Sequence, residues 1–302
     1  MEHFFSEKTT PLIELKAPVF NEKHLRVWVK RDDLNHPLIQ GNKWHKLRLN
    51  LLQAQKHSAS TLITFGGAYS NHIAATAAAA KEFGFKSLGL IRGDELAENK
   101  ENWSPTLEQA ALNGMQFEFL SRRDYRRRHE ADFIHTYRQR YPDGYFIPEG
   151  GSNDLAIEGL QILAQQIDAQ CPDWSRLYCS VGTGATLAGL IRHTAYRANK
   201  QLIGVCSIKQ GDYLIHDIRR WIGDATKHNR WILDTEHHFG GYAKQPPELQ
   251  QFMHSFQQEF SIELDPVYTA KTFKTFFEDI EQNRLPAGSQ VILLHSGGLQ
   301  GK

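Results

Sequence analysis

The sequence predicts an α/β protein in which a mainly parallel β-sheet is flanked by helices. Strand-like and helix-like segments alternate along almost all of the 302 residues, and this alternation is typical of parallel sheets with helical connections. Glycine-containing turns follow several of the strand-like segments. Ligands of such folds bind beyond the carboxyl ends of the strands, so we expect the functional residues in these turns.

The first half of the chain shows the alternation most clearly. Residues 25–30 alternate as a strand, and residues 44–56 carry apolar side chains at helical spacing with basic residues in the last turn. Residues 61–65 form a short apolar run that is typical of a buried parallel strand. An alanine-rich helix is predicted over 71–83, with a glycine stop at Gly84.

The remaining elements follow the same alternation less regularly. Strands are predicted at 87–92, 116–120, 145–148, 176–180, 202–207 and 290–295. Helices are predicted at 105–113, 132–141, 154–169, 186–199, 211–221, 247–260 and 271–283.

The composition excludes several classes of function. Hydrophobic residues make up 40% and charged residues 23% of the chain, which is the balance of a soluble globular protein. A net charge of +1 gives no electrostatic basis for binding nucleic acid or a membrane surface. No apolar run approaches the roughly 20 residues of a membrane-spanning helix, and residues 1–7 lack the apolar segment of a signal peptide.

The cysteines and histidines do not indicate a metal site. Cys171, Cys179 and Cys206 have the spacing of neither a metal site nor a disulfide framework. The 15 histidines contain no H-E-x-x-H motif, so a zinc hydrolase is not predicted. We therefore expect no metal and a reducing, cytoplasmic location.

Four motifs carry the chemistry that the sequence suggests. After the first strand the chain reads K-R-D-D-L, and G-N-K follows at 41–43, just before a helix. A helix start favours anions through its free N–H groups and its dipole. Lys43 at this place has a side chain that bonds covalently to carbonyl groups and shifts its pKa when desolvated, although an ordinary helix-start lysine is equally compatible. The other motifs are S-N-H at 70–72, G-T-G-A-T at 182–186 and H-S-G-G at 295–298.

In this order the motifs resemble those of pyridoxal-phosphate enzymes with the tryptophan synthase β-like fold. Within that group the chain looks like the family of D-cysteine desulfhydrases and 1-aminocyclopropane-1-carboxylate (ACC) deaminases, from about Pro11 to the C-terminus. The resemblance implies pyridoxal 5′-phosphate as cofactor, a small amino acid as substrate and a homodimer. It also implies two α/β domains with the cofactor between them, a large one at 1–46 and 158–302 and a small one at 47–157.

The resemblance assigns two lysines to the cofactor. Lys43 matches the lysine that binds the cofactor covalently and that, once substrate displaces it, serves as the base at the substrate's Cα. Lys46 matches a position that approaches the cofactor phosphate, although an exposed helix lysine fits the residues equally well.

The glycine-rich turn at 182–186 is the candidate phosphate loop. Glycines permit close approach of the backbone, and N–H groups and hydroxyls supply donors. A dinucleotide fold is not predicted, because Leu187 stands where G-x-G-x-x-G requires its third glycine. A purely structural turn is the alternative. The residues expected to bind phosphate are Gly182, Thr183, Gly184, Ala185 and Thr186.

The substrate end of the site is expected at one serine–asparagine pair and two tyrosines. By resemblance, Asn71 hydrogen-bonds the phenolic oxygen of the cofactor, and Ser70 faces the substrate carboxylate. Helix capping, which Ser and Asn do well, is compatible with both roles. Tyr242 and Tyr268 match active-site tyrosines of the family, whose rings can stack on the pyridine and whose phenols can exchange a proton. Tyr69 departs from the glutamine common in related sequences.

Thr269 carries the most information about the substrate. ACC deaminases place glutamate after the matching tyrosine, near the pyridine nitrogen, where a carboxylate keeps that nitrogen protonated. Threonine cannot do so, and Ser296 is expected to hydrogen-bond an unprotonated nitrogen instead. The resulting weaker electron sink suits the loss of a good leaving group such as thiolate. The predicted function is therefore the α,β-elimination of D-cysteine, or of a related β-substituted amino acid, to pyruvate, ammonia and sulfide.

Two other functions stay open at this point. One is ACC deaminase activity, which gives 2-oxobutyrate and ammonia, and the other is a non-catalytic pyridoxal-phosphate-binding relative. O-acetylserine sulfhydrylase chemistry is not predicted, because its lysine and substrate-loop motifs are absent. The run of arginines at 122–128 is interpreted as a solvated helix face.

Overall fold

The computed structural model describes residues 9–195, 199–223 and 230–299. The expectation about residues 1–7 therefore concerns residues outside the described ranges. Residues 196–198 of the helix predicted at 186–199 also lie outside them, but this helix already ends at His193, because Thr194 has an extended backbone. The strands are, in chain order, β1 (Leu12–Leu15), β2 (Arg26–Lys30), β3 (Thr61–Gly66), β4 (Lys86–Arg92), β5 (Gln116–Leu120), β6 (Gly144–Ile147), β7 (Arg176–Val181), β8 (Gln201–Cys206), β9 (Arg230–Asp234) and β10 (Gln290–Leu294).

The helices alternate with these strands. In chain order they are α1 (Pro18–Glu22), α2 (Asn42–Lys56), α3 (Asn71–Phe83), α4 (Pro105–Leu112), α5 (Arg122–Arg126), α6 (Ala131–Arg140), α7 (Asp154–Gly159), α8 (Gln161–Gln170), α9 (Ala185–His193), α10 (Leu214–Ile222), α11 (Pro247–Phe260) and α12 (Thr269–Glu281).

The strands form two sheets, and nearly all neighbours are parallel. The larger sheet has the order β1-β2-β10-β7-β8-β9, and only β1 runs antiparallel to its neighbour. The smaller sheet has the order β5-β4-β3-β6, and every pair in it is parallel. The predicted α/β class with mainly parallel sheets is therefore confirmed. The smaller sheet lies within residues 61–147, inside the proposed small domain, whose bounds at 47 and 157 stay a prediction.

Both faces of the larger sheet are covered by helices, as expected for a parallel sheet. On one face, Ile191 of α9 and Ile218 of α10 are buried in the same apolar cluster as Leu177 of β7. On the other face, Phe256 of α11 and Phe273 of α12 share a cluster with strand residues of β10. In the smaller unit, α2 and α3 contribute to a common cluster with β3 and β6. Packing of this kind fixes the turns at the strand ends.

The structure differs from the prediction at α1 (Pro18–Glu22), which was not predicted, and at two further places. The single helix predicted over 154–169 is two helices, α7 and α8, which are separated at Leu160. Gly159 lies so close to α2 that a Cβ on it would be 2.2 Å from the carbonyl oxygen of His45, so this break depends on a tertiary contact. Strand β9 was not predicted, because it is a short, partly exposed edge strand whose apolar run is only three residues long.

Among the described residues, no helix combines the length and the apolarity that crossing a membrane requires. The three cysteines are buried free thiols.

Candidate active site

A cleft of about 1290 Å³ is lined by turns that follow strands of both sheets. The turns after β3, β4 and β6 come from the smaller sheet, and those after β7, β8 and β10 come from the larger one. All predicted site residues except Ala185 line this cleft. Ala185 is buried as the first residue of α9, so only its backbone is available to a ligand.

Lys43 lies in the first turn of α2, which begins after Gly41. Its Nζ donates a hydrogen bond to Oδ1 of Asn42 at 3.0 Å, and Nδ2 of Asn42 donates to Oγ1 of Thr186 at 2.8 Å. Asn42 was not predicted as a site residue. It connects the lysine of the G-N-K motif to the glycine-rich turn after β7.

Lys46 is buried and reaches the same turn from one helical turn further on. Its Nζ donates to Oγ of Ser152 at 3.1 Å, and the hydroxyls of Ser152 and Thr183 lie 2.6 Å apart. The exposed position that the residues alone allowed for Lys46 is therefore wrong. Ser152 was also not predicted as a site residue. It follows β6, and ligands of parallel sheets bind beyond the carboxyl ends of the strands, so its position could have indicated it.

The charge balance around these lysines favours an anion. Burial lowers the pKa of Lys43 to about 8, and the charge of Asp265 opposes this shift. Burial lowers the pKa of Lys46 well below its usual value, and repulsion by Lys43 adds to the effect. Burial likewise lowers the pKa of His72, and the two lysines add to this. This end of the cleft therefore holds buried basic groups with little negative charge to balance them.

The turn after β7 has room for a ligand because it lacks side chains at two positions. A Cβ on Gly182 would lie 3.1 Å from Cε1 of Tyr268, and a Cβ on Gly184 would lie 2.8 Å from Cγ1 of Ile218. Gly184 also has φ of +87°, which disfavours other residues. The first turn of α9 supplies free N–H groups there. With the two lysines and the threonine hydroxyls, this donor set fits a phosphate group.

The S-N-H motif lies at the start of α3, on the opposite side of the cleft. Oγ of Ser70 accepts a hydrogen bond from the N–H of Ile73 at 3.4 Å, so Ser70 caps the helix and also lines the cleft. The side chain of Asn71 lies near Asp265, because a Cβ on Gly298 would be 2.7 Å from Nδ2 of Asn71 and from the carboxyl carbon of Asp265. Asp265 was not predicted as a site residue.

The two predicted tyrosines face each other. Their ring centroids are 6.2 Å apart at an interplanar angle of 68°. Burial raises the pKa of Tyr242 to about 12, and a hydrogen bond from Tyr268 opposes this rise. Burial raises the pKa of Tyr268 well above its usual value, and Tyr242 adds to the rise. Lys271 donates to the carbonyl of Gly241 at 2.6 Å and so holds the turn that carries Tyr242. Both phenols of the pair therefore stay protonated at neutral pH.

Thr269 does not line the cleft. It is fully buried, its Oγ1 donates to the carbonyl of Asp265 at 3.2 Å, and it accepts from the N–H of Asp265 at 2.7 Å. Its hydroxyl is therefore hydrogen-bonded to the backbone of its own turn. Ser296, in contrast, is half-buried and lines the cleft after β10.

Arg122, Arg123 and Arg126 are exposed, as predicted for a solvated face, while Arg128 is half-buried. Three arginines of the run also border the cleft, which was not predicted. Arg122, Arg126 and Arg128 line the mouth of the cleft, because α5 follows directly after the carboxyl end of β5. Nε of Arg128 donates to Glu149 at 2.9 Å, and the hydroxyl of Tyr125 donates to the same carboxylate at 2.6 Å. Within the described ranges, no group of three or more His, Cys, Asp or Glu side chains could hold a metal ion.

Comparisons with known proteins show the family of the chain. The family model described as "Pyridoxal-phosphate dependent enzyme" matches residues 4–297. The chain is 31% identical to the "Putative 1-aminocyclopropane-1-carboxylate deaminase" of Thermotoga maritima, over 98% of this chain and 96% of that protein. It is 28% identical to the mitochondrial "Bifunctional D-cysteine desulfhydrase/1-aminocyclopropane-1-carboxylate deaminase" of Arabidopsis thaliana, over 91% of this chain and 73% of that protein.

Two solved structures share the fold. A crystal structure of an ACC deaminase homologue has a TM-score of 0.83 at 24% identity, over 98% of this chain and 91% of that one. A hydrogen sulfide-producing enzyme from Fusobacterium nucleatum has a TM-score of 0.69 at 13% identity, over 98% of both chains. At such identities the likeness concerns the fold alone.

Proposed function

The chain belongs to the pyridoxal-phosphate-dependent enzymes, in the family of ACC deaminases and D-cysteine desulfhydrases, and from that premise we propose that it eliminates the β-substituent of D-cysteine or a related β-substituted amino acid. The products are pyruvate, ammonia and, from D-cysteine, sulfide. One observation supports elimination over the ring opening of an ACC deaminase. The turn after β10 presents the hydroxyl of Ser296 to the cleft, while Thr269 is buried and bonded within its own turn.

The carboxylates of the cleft support the same choice. Those that line it are Glu95, Glu149 and Asp217, and each is ion-paired with an arginine. A carboxylate that pairs with a ring nitrogen would keep it protonated and strengthen electron withdrawal. A serine hydroxyl leaves that nitrogen neutral, which favours expulsion of a stable leaving group such as thiolate over the opening of a carbon ring.

The residues of the cleft divide the work of binding the cofactor. Lys43 would hold it covalently, the first turn of α9 and Lys46 would hold its phosphate, and Asn71 and Ser296 would contact its ring. Pyridoxal phosphate, when bound, withdraws electrons from the substrate's Cα and so acidifies the proton there.

The chain's own groups then move the protons. With a pKa of about 8, about a tenth of Lys43 is neutral at pH 7, and this amine accepts the proton from Cα. The Cβ–S bond breaks, and the sulfur leaves with both electrons as thiolate. Tyr242, a protonated phenol that lines the cleft, is suited to protonate the departing sulfur. The Cα–Cβ double bond that results takes up a proton at Cβ, such as the one that Lys43 removed, and water then replaces nitrogen at Cα, which releases ammonia and pyruvate.

The proposal is tested by product release from D-cysteine, L-cysteine and ACC with the purified enzyme loaded with cofactor. We expect sulfide and pyruvate in equal amounts from D-cysteine, little product from L-cysteine, and no 2-oxobutyrate from ACC. Formation of 2-oxobutyrate without sulfide would identify an ACC deaminase and overturn the argument from Ser296. A lack of product from all three, with the visible absorbance of bound cofactor retained, would indicate another substrate or a non-catalytic role.

The lowered pKa of Lys43 predicts how cofactor attachment depends on pH. Only the neutral amine attacks the cofactor aldehyde, so the attachment rate of the cofactor-free protein should rise about tenfold per pH unit at low pH and level off near pH 8. An ordinary lysine would show the rise continuing to about pH 10.4. Stopped-flow absorbance after mixing with pyridoxal phosphate measures the rate, and a profile without a break below about pH 10 would contradict the depressed pKa.

We also propose a homodimer in the cytoplasm. The family resemblance supports the dimer, and the buried free thiols fit a reducing compartment. Light scattering on the purified protein distinguishes two chains from one. The division into a large domain at 1–46 and 158–302 and a small domain at 47–157 is part of the same proposal, and the smaller sheet within residues 61–147 supports it.

A further inference from the structure

The cleft is larger than the proposed reaction requires. Its volume of about 1290 Å³ exceeds the roughly 300–1,000 Å³ that is usual for small-molecule sites. The lysines, the glycine-rich turn and Ser296 occupy one end. The other end is a mouth lined by residues of the segment 122–129 and of α10. This mouth is available to a part of the substrate beyond its reacting carbon.

The mouth carries more positive than negative side chains. Three carboxylates line it, and each is already neutralised by an arginine: Arg122 with Glu95 at 3.4 Å, Arg128 with Glu149 at 2.9 Å, and Arg220 with Asp217 at 3.4 Å. Three further cations line the same cleft and form no ion pair with any residue in the described ranges: Arg92, Arg126 and Lys244.

Of these three, Arg92 has contacts that place it beside the turn after β3. It is the last residue of β4, and its Nη2 would be 3.6 Å from a Cβ on Gly67, so the guanidinium rests close to the turn that leads to Ser70. Burial raises the pKa of Tyr242, and the charge of Arg92 is among the effects that oppose the rise, so Arg92 also lies within electrostatic reach of that phenol.

The surroundings of Arg92 hold its side chain without neutralising it. Its guanidinium lies 5.9 Å from the ring centroid of Tyr125, and Arg128 lies 4.9 Å from the same ring. The hydroxyl of Tyr125 donates to Glu149 at 2.6 Å, which fixes the ring. A cation–π contact orients a guanidinium but leaves its N–H donors available. Arg92 is therefore an exposed guanidinium beside the Tyr125 ring with no ion-pair partner among the described carboxylates.

We propose that Arg92 binds an anionic group at the end of the substrate's side chain, so that the preferred substrates are β-substituted amino acids with a second negative charge. This inference rests on the proposed function and specifies its substrate class. The substrate's own carboxylate is directed to the start of α3 and Ser70, where free N–H groups favour an anion. The guanidinium fork then matches the geometry of a second carboxylate or a similar anion.

A matched pair of amino acids tests this by binding alone. D-glutamate and D-norvaline have the same main carbon chain, but only glutamate ends in a carboxylate, and neither carries a β leaving group. Each is titrated into the cofactor-loaded enzyme, and the visible absorbance of the cofactor reports binding. We expect D-glutamate to bind roughly 10- to 100-fold more tightly, which is the range of a charge-assisted hydrogen bond. In Arg92→Gln this preference should disappear while the affinity for D-norvaline is unchanged.

Two further variants serve as controls. Arg92→Lys keeps the charge without the fork and should retain part of the preference. Arg123→Gln changes an exposed arginine that does not line the cleft, and it should retain the full preference.

Three outcomes would overturn the inference. They are an absence of preference in the unmodified enzyme, a preference that survives in Arg92→Gln, and an equal loss of affinity for both amino acids in Arg92→Gln, which would assign Arg92 to the substrate's own carboxylate. Because binding is measured without turnover, a preference for D-glutamate in an enzyme that forms no sulfide from D-cysteine would overturn D-cysteine as the substrate but not the role of Arg92 in binding an anionic side chain. Absence of any response to amino acids would overturn both.

Discussion

Lys43→Ala is expected to lower sulfide release from D-cysteine by at least about 10³-fold, because one side chain both holds the cofactor and accepts the substrate's proton. Its place at the start of α2, beside Asn42 and near the glycine-rich turn, serves both roles. Burial that lowers its pKa to about 8 makes it a base at neutral pH. The visible absorbance that reports covalent attachment of the cofactor should also be lost, and this is measured together with the initial rate of sulfide release.

The control for this variant lies in the same helix. Lys56→Ala changes an exposed lysine in the last turn of α2, so activity and absorbance should stay as in the unmodified enzyme. Added methylamine separates the two roles of Lys43, since a small free amine can replace a missing base but not a missing tether. Sulfide release by Lys43→Ala at more than about a tenth of the original rate, with no amine added, would contradict the assignment.

The parts of the fold that depend on local chemistry were predictable from the sequence. Helix α3 has its predicted bounds because Ser70 caps its start and Gly84, with φ of +74°, ends it. Strand β5 also has its predicted bounds. The break between α7 and α8 was not predictable, because it coincides with the contact of Gly159 with the backbone of α2, and a contact between distant segments leaves no local pattern.

The candidate site likewise has residues that were predictable from local sequence and residues that depend on tertiary contacts. Lys43 and the glycine-rich turn after β7 belong to short motifs at strand ends, where the chain order alone points to a ligand. Asp265 was missed because its role depends on contacts between segments that are distant in the sequence. Its carboxylate accepts a hydrogen bond from the N–H of Tyr268 at 2.6 Å. Burial lowers the pKa of Lys43, and the charge of Asp265 opposes this shift, although Lys43 is far away in the sequence. The arginines at 122–128 were predicted as a solvated face, and their place beside the cleft was not foreseen, because charge pattern does not show which side of a helix faces a cleft.

Gly41→Ala is expected to be the most destabilising single substitution near the site. Gly41 precedes α2 with φ of +60° and ψ of −138°, a conformation that only glycine adopts readily. A Cβ there would lie 1.8 Å from the carbonyl oxygen of Ser296, so the turn after β10 must move away from Lys43. Backbone strain and overpacking together cost on the order of 2–6 kcal/mol. The thermal midpoint of the cofactor-free protein should fall by roughly 10 °C, and cofactor affinity should fall with it.

Gly84→Ala is the matched control, because it isolates the cost of backbone conformation from the cost of the clash. Gly84 also has a positive φ, of +74°, but a Cβ on it would meet nothing within 4 Å. We therefore expect a loss of only about 1 kcal/mol and unchanged cofactor affinity. If the two variants lost the same stability and both kept the cofactor, the contact between Gly41 and Ser296 would not be what joins the lysine to the turn after β10. A much larger loss in Gly41→Ala, accompanied by weaker cofactor binding, would show that this backbone contact aligns the two sides of the site.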